Sequence, residues 1–443
     1  MTDRRRFLGA AVTASLAPAA GAAPALAIEG GKPVREKALE AGYWGTQYYD
    51  QREREQLTEV LETGRPFRWY GTGKEPPKKV LTFEQEYAAR MQTRYALAVT
   101  SGTAALQTAI CALGVGPGDE VILPAWTWHS CFNTIVLAGG LPVFAEIDES
   151  FNIDPNDIER HITPNTKVIM AVHLQGNPCD MDAVMRIARK RNLKVLEDCA
   201  QSVGASYKGR PVGSIGDIGI YSLQLNKTIT AGEGGAVVTN DPKLFERATR
   251  YHDMGGMRPP HEAVVGQARE DWFIGTNFRL NEFSGGVLLA QLRKLDTIVG
   301  ASRGHAKRIY AGIQDLPGVR LRHRPDPDGE IGAGVFLGFA AKEPRDRFIA
   351  AMKAEGVPVR PPGGSVVLPV QKHIMNKVTH HPGWPSFNSE RGRAIRYGAE
   401  ACPKTIDVLN RFAGPSIDPK YSPADVDDII AAIRKVYPKI AAA

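Results

Sequence analysis

The stretch Gly213–Gly235, GSIGDIGIYSLQLNKTITAGEGG, predicts two strands joined by a turn that carries a lysine. Residues 218–223 form an apolar, β-branched and aromatic run, which is typical of a buried strand. A polar turn with Lys227 follows, and a cluster of glycines leads into a second apolar run at residues 236–239. Burial disfavours the charged form of a lysine, so an amine between two buried strands suits a nucleophile. The alternative is a lysine on an exposed turn, the commonest environment of this residue.

Two upstream segments favour the use of this lysine as a Schiff base with pyridoxal phosphate. Ser101–Thr103 follows the apolar run 96–99 and opens a helical pattern, where free backbone N–H groups and the helix dipole attract a phosphate. Asp198 ends the apolar run 194–197, and a carboxylate at this end of a parallel strand would pair with a protonated pyridine nitrogen. Both segments also have a purely structural interpretation, because Ser, Thr and Asp commonly cap helices.

Six motifs, taken in order, resemble the DegT/StrS family of sugar aminotransferases. They are SGTAA at 101–105, LPAWTWH at 123–129, VHLQGNPCDM at 172–181, LEDCAQSVGA at 196–205, the opening stretch at 213–235 and NFRLNEFSGGVLLAQL at 277–292. The resemblance covers the chain from about Ile28 to the C-terminus. It implies a pyridoxal-phosphate enzyme of the aspartate-aminotransferase type, fold type I.

The resemblance also implies roles for individual residues. Lys227 would form the internal aldimine and carry out the proton transfers, and Asp198 would hold the pyridine nitrogen. The other implied contacts are Trp128 stacking on the ring, Gln201 at the 3-hydroxyl, Gly102, Thr103 and Ser222 at the phosphate, and Asn277 from the neighbouring subunit of a homodimer with shared active sites.

Three residues depart from the usual pattern of the family and bear on the substrate. Gln224 stands where many members that act on sugar nucleotides carry a histidine, and this S-x-Q-x-x-K pattern resembles members that act on aminocyclitol ketones and the aminohydroxybenzoate synthases. Gln175 replaces a common aromatic residue, and Cys199 replaces a common alanine.

The function expected from these observations is amino transfer from an amino acid donor to a keto-sugar or keto-cyclitol. One alternative is other pyridoxal-phosphate chemistry on the same fold, such as an aminohydroxybenzoate-synthase-like dehydration or an epimerisation. A second is a non-catalytic protein that holds the cofactor or another ligand. Because Lys227 is present, the sequence favours an enzyme.

Alternating strand and helix patterns between residues 83 and 295 predict an α/β fold with a mainly parallel sheet flanked by helices. We expect a signal peptide at 1–27, an N-terminal arm at 28–80, a cofactor-binding large domain at 81–295 and a smaller α+β domain at 296–443. The stretch 254–274 is rich in glycine and proline and predicts a long flexible loop near the substrate pocket.

The first 27 residues have the composition of a secretory signal peptide. Arg4–Arg6 precede an Ala-rich apolar stretch, and Ala25-Leu26-Ala27 provides a small-residue cleavage site. The arginine pair before Phe7 resembles a twin-arginine signal, which implies export to the periplasm; the protein would be cytoplasmic if the signal is not functional. The alternative is a disordered tail with a chance arginine cluster.

Composition bounds the remaining possibilities. The chain has 443 residues and a formal net charge of +7, with basic residues scattered and not in a stripe that would suggest nucleic acid. Five cysteines lack metal-ligand or disulfide spacing and predict buried free thiols, and no metal site is expected. No apolar run beyond the leader is long enough to predict a membrane anchor. His173 is expected to be structural, although a catalytic role is the alternative.

Overall fold

The computed structural model describes residues 25–69, 75, 78–266 and 271–441. The helices in this part are α1 Gln51–Thr63, α2 Lys79–Arg90, α3 Gly102–Ala112, α4 His129–Leu137, α5 Pro155–His161, α6 Met181–Arg191, α7 Pro242–His252, α8 Pro259–Val265, α9 Glu282–Leu292, α10 Leu295–Ile313, α11 Lys342–Ala354, α12 Lys372–Met375, α13 Pro385–Asn388, α14 Glu390–Ala394, α15 Pro403–Arg411 and α16 Pro423–Ala441. Short 3₁₀ helices lie at Ala27–Glu29, Gly45–Tyr48, Leu368–Val370 and Ala399–Ala401.

The strands are short and almost wholly buried. They are β1 Tyr95–Val99, β2 Glu120–Pro124, β3 Trp126–Thr127, β4 Leu141–Ala145, β5 Thr166–Val172, β6 Lys194–Asp198, β7 Ser206–Tyr207, β8 Arg210–Pro211, β9 Ile218–Ser222, β10 Gly235–Thr239, β11 Leu337–Gly338, β12 Val366–Val367 and β13 Phe412–Ala413.

Seven strands form one sheet in the order β1-β10-β9-β6-β5-β2-β4. The pairs from β9 to β4 are parallel, and β10 runs antiparallel to both β9 and β1. Helices flank this mostly parallel mixed sheet, which confirms the predicted α/β fold class. Because the parallel strands end at the same edge, the loops after β1, β2, β6 and β9 meet there.

The sheet separates two apolar cores. In β1, Leu97 and Val99 belong to one core, whereas Ala96 and Ala98 belong to the other, as the two-residue period of a strand requires. Helix α6 illustrates the local signals: the side chain of Asp180 caps its N-terminus and Asn192 ends it in the left-handed conformation.

A third core lies in the C-terminal part of the chain, between α10, α11 and α16. Leu26 and Leu39 from the N-terminal segment belong to this core. The segment from α12 to α15 packs elsewhere, since Phe387 and Val408 join the core of the main sheet. The C-terminal third of the chain thus contributes both to this third core and to a core of the main sheet.

Two further observations bear on the sequence-based expectations. Within the described residues, no helix combines the length and apolar character needed to cross a membrane. The five cysteines are free thiols; four are buried and Cys111 is half-buried, as their composition predicts. The Arg4–Arg6 cluster and the apolar stretch after it lie outside the described residues.

Candidate active site

A cavity of about 380 Å³ opens at the carboxyl edge of the parallel strands. Its walls come from the loops after β1, β2, β6 and β9 together with residues near Gly364. Seven of the eight residues singled out in the sequence line it: Gly102, Thr103, Trp128, Asp198, Gln201, Ser222 and Lys227. These residues span 126 positions of sequence, and the parallel topology brings them together.

Lys227 lies in the turn between β9 and β10, as the opening stretch predicts. Its backbone N–H donates to the carbonyl of Gln224 at 2.9 Å, and its carbonyl accepts from the N–H of Gly45 at 3.3 Å. Loss of water around the side chain lowers the pKa of the Lys227 amine, and the nearby Asp198 carboxylate partly opposes this shift. A larger fraction of neutral amine is therefore available near neutral pH than for an exposed lysine.

Asp198 ends β6 on the floor of the cavity and is 2% exposed. Its Oδ1 accepts from the backbone N–H of Ala200 at 2.9 Å, and its Oδ2 accepts from the Cys131 thiol at 3.2 Å. Burial raises the pKa of Asp198, although the Ala200 and Cys131 hydrogen bonds and the Lys227 charge oppose the rise. No helix begins at Asp198, so the capping alternative for this residue is wrong.

The N-terminus of α3 provides one end of the cavity with hydroxyl groups and a close backbone approach. The Ser101 side chain caps the helix by accepting from the N–H of Ala104 at 3.0 Å. Thr103 Oγ1 and Ser130 Oγ are 2.7 Å apart. A Cβ added at Gly102 would lie 2.5 Å from the Cβ of Ser222, so only glycine fits. Hydroxyls beside a helix N-terminus form a donor set that suits a phosphate.

Aromatic and amide side chains form the wall nearest α4 and residues 363–365. Trp128 precedes α4 and is 53% exposed, and its ring contacts His129 edge-on at 5.5 Å. Gln201 donates to the Gly364 carbonyl at 3.1 Å and to Ser365 Oγ at 2.9 Å. The pairing of β12 with β3 brings residues 364 and 365 to this wall.

Asn277, the eighth residue, does not line the cavity. It is exposed, its backbone pairs with Asp253, and its side chain accepts from the N–H of Arg279 at 3.3 Å. The sequence assigns Asn277 to the neighbouring subunit's site, and its place outside this chain's own cavity leaves that prediction open.

His173 lies at the end of β5 and is fully buried. Its Nδ1 accepts from the N–H of Cys179 at 3.0 Å, so Nε2 carries the proton and donates to Glu197 at 3.1 Å. Glu197 also accepts from three backbone N–H groups, those of Gly213, Ile215 and Gly216. Although Cys199 lies beside this pair, hydrogen bonds already occupy both ring nitrogens. His173 is structural, in agreement with the sequence-based expectation.

A second cavity of about 370 Å³ adjoins the first and shares Lys227 and Gln201 with it. Tyr43 and Trp44 of the N-terminal segment form part of its wall. Arg360, from the C-terminal part of the chain, also lines it. Sequence reasoning did not single out these residues, nor Ser130, Cys131 or Gly364. No motif marks them, because distant segments reach the cavity only through tertiary packing.

The stretch 254–274 differs from the long loop that its composition predicts. Helix α8, Pro259–Val265, occupies its centre, and His261 on this helix is 2% exposed. Proline at the first helical positions does not require a hydrogen-bond donor and already has a helical φ angle, which explains the start of α8. Residues 271–274 are non-helical, and Trp272 and Ile274 are 76% and 94% exposed.

Comparison with known proteins gives a consistent result. The sequence profile of the DegT/DnrJ/EryC1/StrS aminotransferase family matches residues 47–434. The GDP-perosamine synthase of Escherichia coli O157:H7 is 35% identical over 329 residues, covering 72% of this chain and 88% of that protein. The L-glutamine:2-deoxy-scyllo-inosose aminotransferase of Micromonospora echinospora is 36% identical over 310 residues, covering 66% of this chain and 69% of that protein.

The crystal structure of 3-amino-5-hydroxybenzoic acid synthase is similar in fold. It superimposes with a TM-score of 0.74 at 30% sequence identity, covering 91% of this chain and 100% of that chain. The structure of Streptomyces venezuelae DesV, solved with a ketimine intermediate, has a TM-score of 0.69 at 30% identity, covering 87% of this chain and 94% of that chain.

Proposed function

The chain belongs to the DegT/DnrJ/EryC1/StrS aminotransferase family, and from this premise we propose that it transfers an amino group from an amino acid to a keto-sugar or keto-cyclitol. Enzymes of this family are pyridoxal-phosphate-dependent aminotransferases. The observation that carries the proposal is the placement of the desolvated amine of Lys227 in one cavity with Asp198 and a phosphate-sized donor set.

The cavity fits pyridoxal phosphate by its chemistry. The amine of Lys227 would hold the aldehyde carbon, and Asp198 would hold the pyridine nitrogen. Gly102, Thr103 and Ser222 would bind the phosphate, Gln201 the 3-hydroxyl, and Trp128 would cover the ring. When bound, the cofactor withdraws electrons from the carbon attached to the amino nitrogen and so acidifies its proton.

Lys227 would move protons at that carbon. Its lowered pKa supplies a neutral amine that accepts a proton, and the resulting ammonium returns the proton to the neighbouring carbon. Asp198, kept in place by Ala200 and Cys131, would keep the ring nitrogen protonated by charge pairing in a buried site. Trp128 and the walls around it would limit access of water to the reacting carbon.

A ring ketone without a nucleotide is the acceptor that we favour. Gln224 and Gln175, which depart from the family pattern, both line the cavities. Gln224 Oε1 accepts from the N–H of Asn226 and Gln175 Nε2 donates to the Gly363 carbonyl, so the opposite amide atom of each would bind a hydroxyl of a cyclitol. The relatives include an inosose aminotransferase and a GDP-perosamine synthase. A cyclitol ketone and a GDP-linked keto-sugar are therefore the two acceptor classes to compare. A dehydration like that of aminohydroxybenzoate synthase is the second candidate, supported by the similarity in fold.

Incubating the purified protein with pyridoxal phosphate, L-glutamine or L-glutamate and each acceptor would test the proposal. We expect an amino-cyclitol or amino-sugar product and release of the keto acid in equal amount. An aromatic product would favour the second candidate, and no product with any acceptor or donor would contradict amino transfer.

Arg360 would bind the carboxylate of the amino acid donor. Its backbone is paired with Gly414, its Nε donates to Ser416 Oγ at 2.9 Å, and among the described residues no carboxylate pairs with its guanidinium. The Arg360 side chain is exposed at the cavity, and partial desolvation lowers the pKa of its guanidinium, which would pair there with an anionic ligand. Because the donor carboxylate is one bond from the reacting carbon, it must bind near Lys227, and both residues line the second cavity.

We expect Arg360→Gln to raise the KM for the donor about 10- to 100-fold, in line with loss of a charge-assisted hydrogen bond, and to leave the KM for the acceptor unchanged. Calorimetric titration of 2-oxoglutarate into the wild type and into the Arg360→Gln variant would measure the loss of carboxylate affinity without turnover. Arg308→Gln is the matched control, since Arg308 pairs with Asp427 on the surface. Equal donor affinity in the two variants would contradict this assignment of Arg360.

Two further parts of the proposal concern assembly and location. A homodimer with shared active sites would bring Asn277 to the partner's phosphate site and would cover Trp272 and Ile274 beside it. Export through the arginine pair at Arg4 and Arg5 would place the enzyme outside the cytoplasm, where a free cyclitol or sugar is a more suitable acceptor than a nucleotide sugar. Sedimentation and cell fractionation, with Arg4 and Arg5 replaced by lysine, would test these two parts.

A further inference from the structure

The residues around the Ala25-Leu26-Ala27 triplet are part of the folded protein. Leu26 is 2% exposed and belongs to the core formed by α10, α11 and α16. Its carbonyl accepts from the N–H groups of Glu29 and Gly31 at 2.9 and 3.0 Å. The turn that follows is tight, because a Cβ added at Gly31 would lie 2.2 Å from the Ala25 carbonyl oxygen.

Glu355 holds this segment from the other side. It is fully buried, its Oε1 accepts from the N–H of Ala27 at 2.8 Å, and its Oε2 accepts from the N–H of Val34 at 3.0 Å. Lys435 completes the arrangement at 2.8 Å from Oε2. Two backbone groups of the N-terminal segment thus satisfy one buried carboxylate that would otherwise rely on Lys435 alone.

Proteases cleave chain segments that are exposed and able to extend. The peptide bond after Ala27 lies within the 3₁₀ helix Ala27–Glu29 and is therefore not extended. Although Ile28 is 55% exposed, Leu26 is buried and the N–H of Ala27 is bonded to Glu355, which holds the bond in this helix. We propose that processing spares this bond, that any cut lies before Leu26, and that the mature chain retains Leu26 as a core residue. The sequence offers an upstream small-residue triplet at 20–22 for such a cut.

This inference does not depend on the proposed amino transfer or on export, and its test uses the full-length chain. The folded protein is incubated with a purified type I bacterial signal peptidase, and the products are identified by intact mass. We expect no product that begins at Ile28. The same chain held in urea at a concentration the peptidase tolerates is the accessibility control. A product beginning at Ile28 from the folded protein would overturn the proposal.

Two shortened chains give an independent readout that needs no peptidase. One begins at Ala25 and the other at Ile28, each after an initiating methionine. We expect the melting temperature of the chain that begins at Ile28 to be lower by several degrees, because it lacks Leu26 and the N–H bonded to Glu355. Equal melting temperatures would contradict the core role of Leu26, even if the peptidase leaves the bond intact.

Discussion

The turn that carries Lys227 and the N-terminal segment around Leu26 each contain a motif that can be recognised in the sequence. They differ in what surrounds them. Lys227 projects into a cavity whose other groups come from the ends of neighbouring strands. Leu26 lies in a dry core, within a triplet whose composition matches a cleavage site. The residues of the chemical motif therefore line a cavity, as predicted, whereas the central residue of the processing motif is buried in a core.

The physical reason is the difference between a local and a non-local requirement. A strand end with a carboxylate or a lysine faces the ligand edge wherever the sheet is parallel, so local sequence suffices. Whether Leu26 is exposed depends on α11 and α16, which lie more than 300 residues away in the sequence. Substitutions in the cavity should then change catalysis with little effect on stability, and substitutions in the N-terminal segment should do the reverse.

The largest effect is expected for Lys227→Ala. Loss of the amine removes both the attachment of the cofactor and the proton carrier, and general acid–base catalysis alone contributes about 10²- to 10⁴-fold. We expect no measurable turnover, loss of the visible absorbance of the bound cofactor and an unchanged circular dichroism spectrum. Normal visible absorbance in this variant would contradict the assignment of Lys227.

Asp198→Asn should lower kcat by about 10²- to 10³-fold, a loss typical of removing one preorganised electrostatic contact. A neutral amide cannot hold a proton on the ring nitrogen, although it fills the same volume. Cys131→Ser is the control, because a hydroxyl can still donate to the Asp198 carboxylate. Turnover that equals that of the wild type would mean that Asp198 has only a structural role.

Gly102→Ala should weaken cofactor binding by about 10-fold or more, because relief of the clash displaces Ser222 or the start of α3 from the phosphate, and a hydrogen bond to a charged group contributes about 1.5–3 kcal/mol. The added methyl group meets the Cβ of Ser222 at 2.5 Å, whereas at Gly116 it would meet nothing within 4 Å. Fluorescence titration with pyridoxal phosphate would compare Gly102→Ala with Gly116→Ala. Equal affinities in the two variants would show that the close approach of α3 to β9 does not contribute to cofactor binding.

Leu26→Ala should leave kcat and KM unchanged and lower the free energy of unfolding by about 2–5 kcal/mol, the usual cost of truncating a buried leucine. Ile28→Ala is the matched control, because Ile28 is 55% exposed and we expect a change of at most about 0.5 kcal/mol. Denaturant unfolding would measure both. Similarly small changes in the free energy of unfolding of the two variants would contradict the stabilising role of Leu26 and its contrast with the cavity residues.

The sequence by itself determined the sheet and most of the cavity. Apolar runs with turn signals predicted strands that agree with β1, β6, β9 and β10 to within a few residues, because burial on both faces of a sheet demands such runs. The groups that follow those strands are the ones that line the cavity. His173 forms the structural hydrogen bonds that its expected role requires.

Only the tertiary structure decided which distant segments complete the site and whether Leu26 is buried. Arg360, Tyr43 and Gly364 reach the cavities through packing between segments that share no local pattern. The burial of Leu26 depends on the apolar faces of helices at the other end of the chain. Hydrophobic burial is non-directional, so composition near Leu26 cannot specify whether that side chain meets water, a peptidase or a core.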